Sequence, residues 1–228
     1  MAGVINIITD NTVSTPLQAS LRYGSYNTKD VNINNTSYSK SLMYQGFYNY
    51  YSTDGYSIRP NSNNRVTTPI NRLTTNQQLK YTLNSKTTLL LGTRLTDETI
   101  KSNIAVSNRG TTINSNGNEH NTDININGTL YYRFTSHLKT SFRTYVTNYI
   151  SKQDLLTISG APYNDLLNHL FKRIENQTDW AISKKLNGIF GIGAVWEGVK
   201  SSRYDNENQI KENTIQYGFT QWEWTPYD

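Results

Sequence analysis

Apolar and polar side chains alternate along most of this chain with a period of two. Leu17, Ala19, Leu21 and Tyr23 are interleaved with Gln18, Ser20, Arg22 and Gly24, so an extended backbone puts the two sets on opposite faces. The pattern returns in Leu73, Thr75, Gln77, Leu79, Tyr81 and Leu83 against Thr74, Asn76, Gln78, Lys80 and Thr82. It returns in Ile124, Ile126, Gly128, Leu130, Tyr132 and Phe134 against Asn125, Asn127, Thr129, Tyr131 and Arg133, and again from Leu138 to Thr147. Near the end Phe190, Ile192, Ala194 and Trp196 oppose Ile189, Gly191, Gly193 and Val195, a side kept small by glycine. About ten strands are predicted, beginning near Leu17, Val31, Leu42, Leu73, Thr87, Thr122, Leu138, Asn168, Leu186 and Thr214.

The connections alternate as well. Short polar links are predicted at residues 39–41, 84–86, 136–137 and 183–185, and long ones at 53–71, 100–121, 151–165 and 198–212. Only the first link of the long set, at 26–29, is brief. Brief turns at one end and long loops at the other belong to an antiparallel up-and-down barrel that crosses a membrane. A soluble sandwich has no reason to sort loop length by strand parity. Aromatic residues gather towards strand ends, as in Tyr48, Tyr50, Tyr51, Trp180, Trp196, Trp222 and Trp224, where a membrane surface favours them.

Composition supports this picture. Of 228 residues only 35% are hydrophobic and 17% charged, and Tyr outnumbers Phe 17 to 6. Neutral polar residues fill the deficit, which suits strands with one apolar and one wet face. The net charge of +5 does not mark a nucleic-acid binder, because Lys and Arg are scattered singly. There are no cysteines, hence no disulfides or thiolate metal sites. No apolar run is long enough for a membrane helix, and the first residues have no basic segment followed by an apolar one, so no signal peptide is read here.

Four stretches are similar to the TonB-dependent outer-membrane receptor family. Gly3-Val4-Ile5-Asn6-Ile7-Ile8-Thr9 resembles the strand that closes its plug domain, and Tyr23-Gly24-Ser25-Tyr26-Asn27 resembles the glycine-serine turn after its first barrel strand. Asp54-Gly55-Tyr56 looks like the opening of an outer loop, and Phe219-Thr220-Gln221-Trp222-Glu223-Trp224-Thr225-Pro226 like a strand end before a periplasmic turn. The resemblance implies that residues 1–13 end a plug and 14–228 begin a plugged barrel of about 22 strands. The expected fold is therefore all-β, a transmembrane β-barrel fragment of about ten strands with open edges. The implied setting is the outer membrane of a Gram-negative-type bacterium, in contact with its lipid. The implied partner is TonB, acting through the upstream region, and the implied activity is uptake of an iron-siderophore, haem or cobalamin-like ligand.

No catalytic constellation is found, and the chain is read as neither an enzyme nor a cofactor protein. His120, His137 and His169 are placed in a loop, a turn and a strand start, without carboxylates at metal-ligand spacing. Arg22, Arg94, Arg133, Arg143, Arg173 and Glu175 fall on polar faces and should point into the lumen, to pair with a plug or to line an anionic solute path. Asp54, Tyr56 and Arg59 in one outer loop, and Arg109, Asn116, Glu119 and His120 in another, are candidates for capturing a small-molecule ligand such as a metal chelate. The competing function is a passive porin or a β-rich surface adhesin, though no repeat of fixed length favours the adhesin.

Overall fold

Strict alternation has no use for a helix, and the computed structural model is built of ten strands, with no helix among the described residues. It describes residues 16–56, 68–108, 111–157, 160–204 and 209–225. The strands are β1 (Leu17–Gly24), β2 (Thr28–Tyr38), β3 (Leu42–Thr53), β4 (Ile70–Asn84), β5 (Thr87–Asn108), β6 (Thr111–Arg133), β7 (Leu138–Thr157), β8 (Pro162–Ser183), β9 (Leu186–Ser201) and β10 (Ile210–Trp224). Each pairs antiparallel with the next, giving one sheet in the order β1 to β10. Within the described residues β1 and β10 have one neighbour each, so the sheet is open-edged as expected. The plug-closing strand expected at residues 3–9 lies outside the described residues.

Register decides what each face carries, since directly opposed residues share a face. On one face Leu42, Tyr81, Leu89, Leu130 and Phe142 stand opposite one another in turn across β3 to β7. On the other, Arg22 opposes Asp30, Asp30 opposes Tyr51, Tyr51 opposes Arg72, and Arg72 opposes Glu98. The apolar face is bare. Leu21, Ile126, Ile192 and Trp224 keep 77, 52, 69 and 70% of their surface exposed, while Leu155 is the one buried apolar core residue among those described. A face of this kind must be covered by lipid or protein, because soluble proteins do not leave such apolar area in water.

The turn chemistry is local. The Lys86 amide donates to Asn84 Oδ1 at 2.9 Å, and the Lys185 amide to Ser183 Oγ at 3.2 Å. β4 and β8 each carry a register irregularity just before these turns. At the opposite end, the β1–β2 link is the three residues Ser25, Tyr26 and Asn27, the last two left-handed, at φ 59° and 53°. That geometry matches the twist of a hairpin, and the turn lies within the Tyr23–Asn27 stretch that carries the resemblance.

Three of the four long loops are shorter than expected. Residues 100–121 form a hairpin extension in which β5 and β6 stay paired out to Asn108 and Thr111. β7 runs to Thr157 with β8 starting at Pro162, and β9 runs to Ser201 with β10 starting at Ile210. In the sequence the hydrophobic alternation fades over these stretches, while the backbone ladder continues. The link between Thr53 and Ile70 is as long as predicted.

Candidate functional site: the polar wall

The polar face gathers its charges through register. In a hollow of about 400 Å³ spanning β3 to β7, Arg72, Arg94, Glu98, Asn121, Asp123 and Tyr149 line one surface. Arg94 donates to Asp123 at 2.6 Å, and Thr147 Oγ1 donates to the other oxygen of that carboxylate at 3.2 Å. Arg72 lies 3.6 Å from Glu98, with its guanidinium 5.5 Å from the Tyr51 ring centre. The Tyr149 hydroxyl donates to Asn121 at 3.1 Å. Two cations thus sit beside two carboxylates, so the hollow presents both signs of charge without an excess of either. Chemically it can exchange a wall partner for a ligand group of the same sign.

A second network crosses β7 to β10. Arg143 donates to Glu175 at 2.9 Å and to Gln177 at 3.0 Å, and the Tyr217 hydroxyl donates to the other Glu175 oxygen at 2.7 Å. Gly193 makes room for this. A Cβ there would lie 2.5 Å from the Tyr217 ring and 2.9 Å from the Ile174 carbonyl oxygen, so the room that glycine leaves on this side is filled by a neighbouring aromatic. Arg22 is bonded to Asp30, which also accepts from Asn49 at 2.7 Å and Asn32 at 3.1 Å. The partners of these lumenal arginines therefore come from the adjacent strands. Asp30, Asp123 and Tyr217 were missed by sequence reasoning because only the register reveals them.

At the loop end, Tyr56 stacks on Tyr26 with ring centres 5.1 Å apart, and the Asp54 amide donates to the Tyr26 carbonyl at 2.9 Å. A left-handed tyrosine is unusual, and these contacts fix it. Glu119 accepts from Asn121 at 2.9 Å and from Gln153 at 3.3 Å on the polar face. Asn116 and His120 have the opposite parity along β6 and so stand on the other face of the sheet from Glu119. Arg59 and Arg109 lie outside the described residues. The histidines also differ from expectation: His120 lies 3.2 Å from Asp97 and His169 2.6 Å from Glu197, each a carboxylate of a neighbouring strand. Asp165, near the start of β8, ties down the β9–β10 link, accepting from Ser202 Oγ and from Arg203 Nε, the latter at 2.7 Å. Burial works against its charge, but the bonds from Ser202 and Arg203 hold its carboxyl below the usual carboxylate range. Arg133, by contrast, ends β6 on the polar face, directly opposite Lys139.

No family model matches the sequence, and no curated protein resembles it in sequence. Solved structures do resemble the fold. The RagAB peptide importer in a closed-closed state matches with TM-score 0.55 and 10% identity, over 88% of this chain and 30% of that one. A second RagAB peptide transporter structure matches with TM-score 0.54 and 10% identity, over 86% and 29%. The copper transporter OprC matches with TM-score 0.48 and 13% identity, over 93% and 42%. The chain thus spans less than half the length of each of these three. What it shares with the RagAB chains is architecture: an antiparallel up-and-down sheet of the outer-membrane β-barrel kind.

Proposed function

We propose that the whole protein is an outer-membrane receptor that imports a scarce nutrient through its lumen, of which residues 14–228 form the first part of the barrel and 1–13 the end of a plug. The observation that carries this reading is the two-faced sheet, whose bare apolar face suits lipid and whose polar face suits a wet passage. Import is also the activity named for RagAB. The motif resemblance makes TonB the energising partner and an iron-siderophore, haem or cobalamin-like compound the cargo. Asp54 and Tyr56, with Arg59 and Arg109, would meet the ligand at the mouth. Glu119, Arg94 and Arg143 would line its route, with Arg133 at the periplasmic exit.

The test is accumulation of labelled chelates by cells with and without the intact gene, before and after collapse of the proton gradient. Uptake that requires both the gene and the gradient is the expected result. Gene-dependent uptake that survives the collapse would instead identify a passive porin, and no gene-dependent uptake of any solute would remove transport altogether.

A further inference from the structure

The turn end of the sheet is the basic end. Its turns carry Lys40, Lys86, Lys184 and Lys185, and its strand ends carry Lys80, Arg133 and Lys139, against the carboxylates of Asp179 and Glu223 alone among the described residues. That local excess matches the +5 net charge of the entire chain, so elsewhere acids and bases nearly cancel. Three of these cations come together beside a fourth, Lys139. Lys80 from β4, Lys86 from the β4–β5 turn and Arg133 from the end of β6 line one cavity of about 310 Å³, together with Thr88, Tyr131 and Lys139.

This cavity is built rather than incidental. The Asn84 side chain fixes the turn at Lys86, whose carbonyl accepts the Arg133 amide at 2.9 Å, so two of the three cations sit on mutually bonded backbone. Arg133 stands directly opposite Lys139 in the ladder, a like-charge pairing that sheets ordinarily avoid because it destabilises them. Lys139 has relief in Asp179 at 3.3 Å. Among the described residues, none of the ion pairs involves Lys80, Lys86 or Arg133.

We infer that Lys80, Lys86 and Arg133 form a binding cradle for a phosphate group at the turn end of the polar wall. Arg133 offers the planar fork that matches phosphate oxygens, the two lysines add point charge, and the hydroxyls of Thr88 and Tyr131 are neutral donors on the same surface. The phosphate can belong to a free solute in the lumen or to the headgroup of a phospholipid at the membrane edge. The inference goes beyond the import reading and stands whichever nutrient is carried.

The test takes the protein purified from its membrane in detergent, adds inorganic phosphate at low ionic strength, and follows phosphorus NMR line widths. In parallel, nanodiscs of phosphatidylcholine with and without phosphatidylglycerol report lipid preference. At least one source should bind, about tenfold more weakly in Lys80→Ala and again in Arg133→Ala, and unchanged in Lys40→Ala. Lys80→Arg should keep binding, which separates charge from folding, and Arg133→Lys should keep the charge but bind more weakly through loss of the fork. Phosphate binding alone assigns the cradle to a solute, phosphatidylglycerol preference alone assigns it to lipid, and both together support the shared chemistry. Failure of both sources, or binding that persists in the Lys80→Ala and Arg133→Ala double variant, overturns it.

Discussion

Two regions of the same polar face treat their cations in opposite ways. In the middle of the wall Arg94 and Arg143 each bind a carboxylate of the next strand, Asp123 at 2.6 Å and Glu175 at 2.9 Å. At the turn end Arg133 faces Lys139, and Lys80 faces Leu90 and Met43. Strand parity is shared, so the difference lies in which residues the register sets opposite, as Glu175 is to Arg143, or diagonally across, as Asp123 is to Arg94. Pairing makes the middle a part of the scaffold. The lack of pairing leaves the turn end free to attract something else.

The comparison can be broken at three places, beginning with the largest effect. Glu175→Ala should destabilise the protein by about 2 kcal/mol, because it strips an acceptor from both Arg143 and Tyr217, whereas a fully buried pair would lose more. A urea midpoint unchanged from wild type would mean that the middle of the wall is as loosely held as the turn end. Asp165→Asn should act more locally, lowering the hydrogen-exchange protection of residues 202–204 several-fold at neutral pH. Since the folded carboxyl titrates below its unfolded value, its contribution is complete above the usual carboxylate range and disappears as pH falls through the depressed folded value. The variant and wild type should therefore converge in acid, and a gap that widens there would contradict the assignment. The smallest effect belongs to Lys139→Ala. Its side chain is 67% exposed, and such ion pairs contribute at most about 0.5 to 1 kcal/mol, so a loss beyond that in the same urea titration would erase the distinction between the two regions.

Legibility in the sequence follows the same axis. Strand starts at the turn end were placed where they are found, at Leu17, Leu42, Thr87, Leu138 and Leu186. Those at the loop end were placed late, with Val31 for Thr28, Leu73 for Ile70, Thr122 for Thr111, Asn168 for Pro162 and Thr214 for Ile210. Turn residues such as Asn84 and Ser183 mark one boundary chemically, while at the other a water-exposed strand has no apolar partner set to reveal it. Site residues divide similarly. Alternation alone put Arg94, Arg133 and Arg143 on the wet face, because a face needs only parity. Their partners needed register, and the His169–Glu197 and His120–Asp97 pairs were missed for that reason.

The β5–β6 hairpin has a further consequence. Its strands are 22 and 23 residues long, roughly 70 Å at about 3.3 Å per residue, or about 55 Å of height at a tilt near 40°. An apolar belt about 25 Å tall would take up under half of that, so paired backbone extends about 30 Å beyond the height such a belt needs. On the import reading, a molecule arriving from outside would first meet a ladder already ordered by its own hydrogen bonds. Capture there would forfeit little chain entropy, unlike capture by a loop that must settle around its guest.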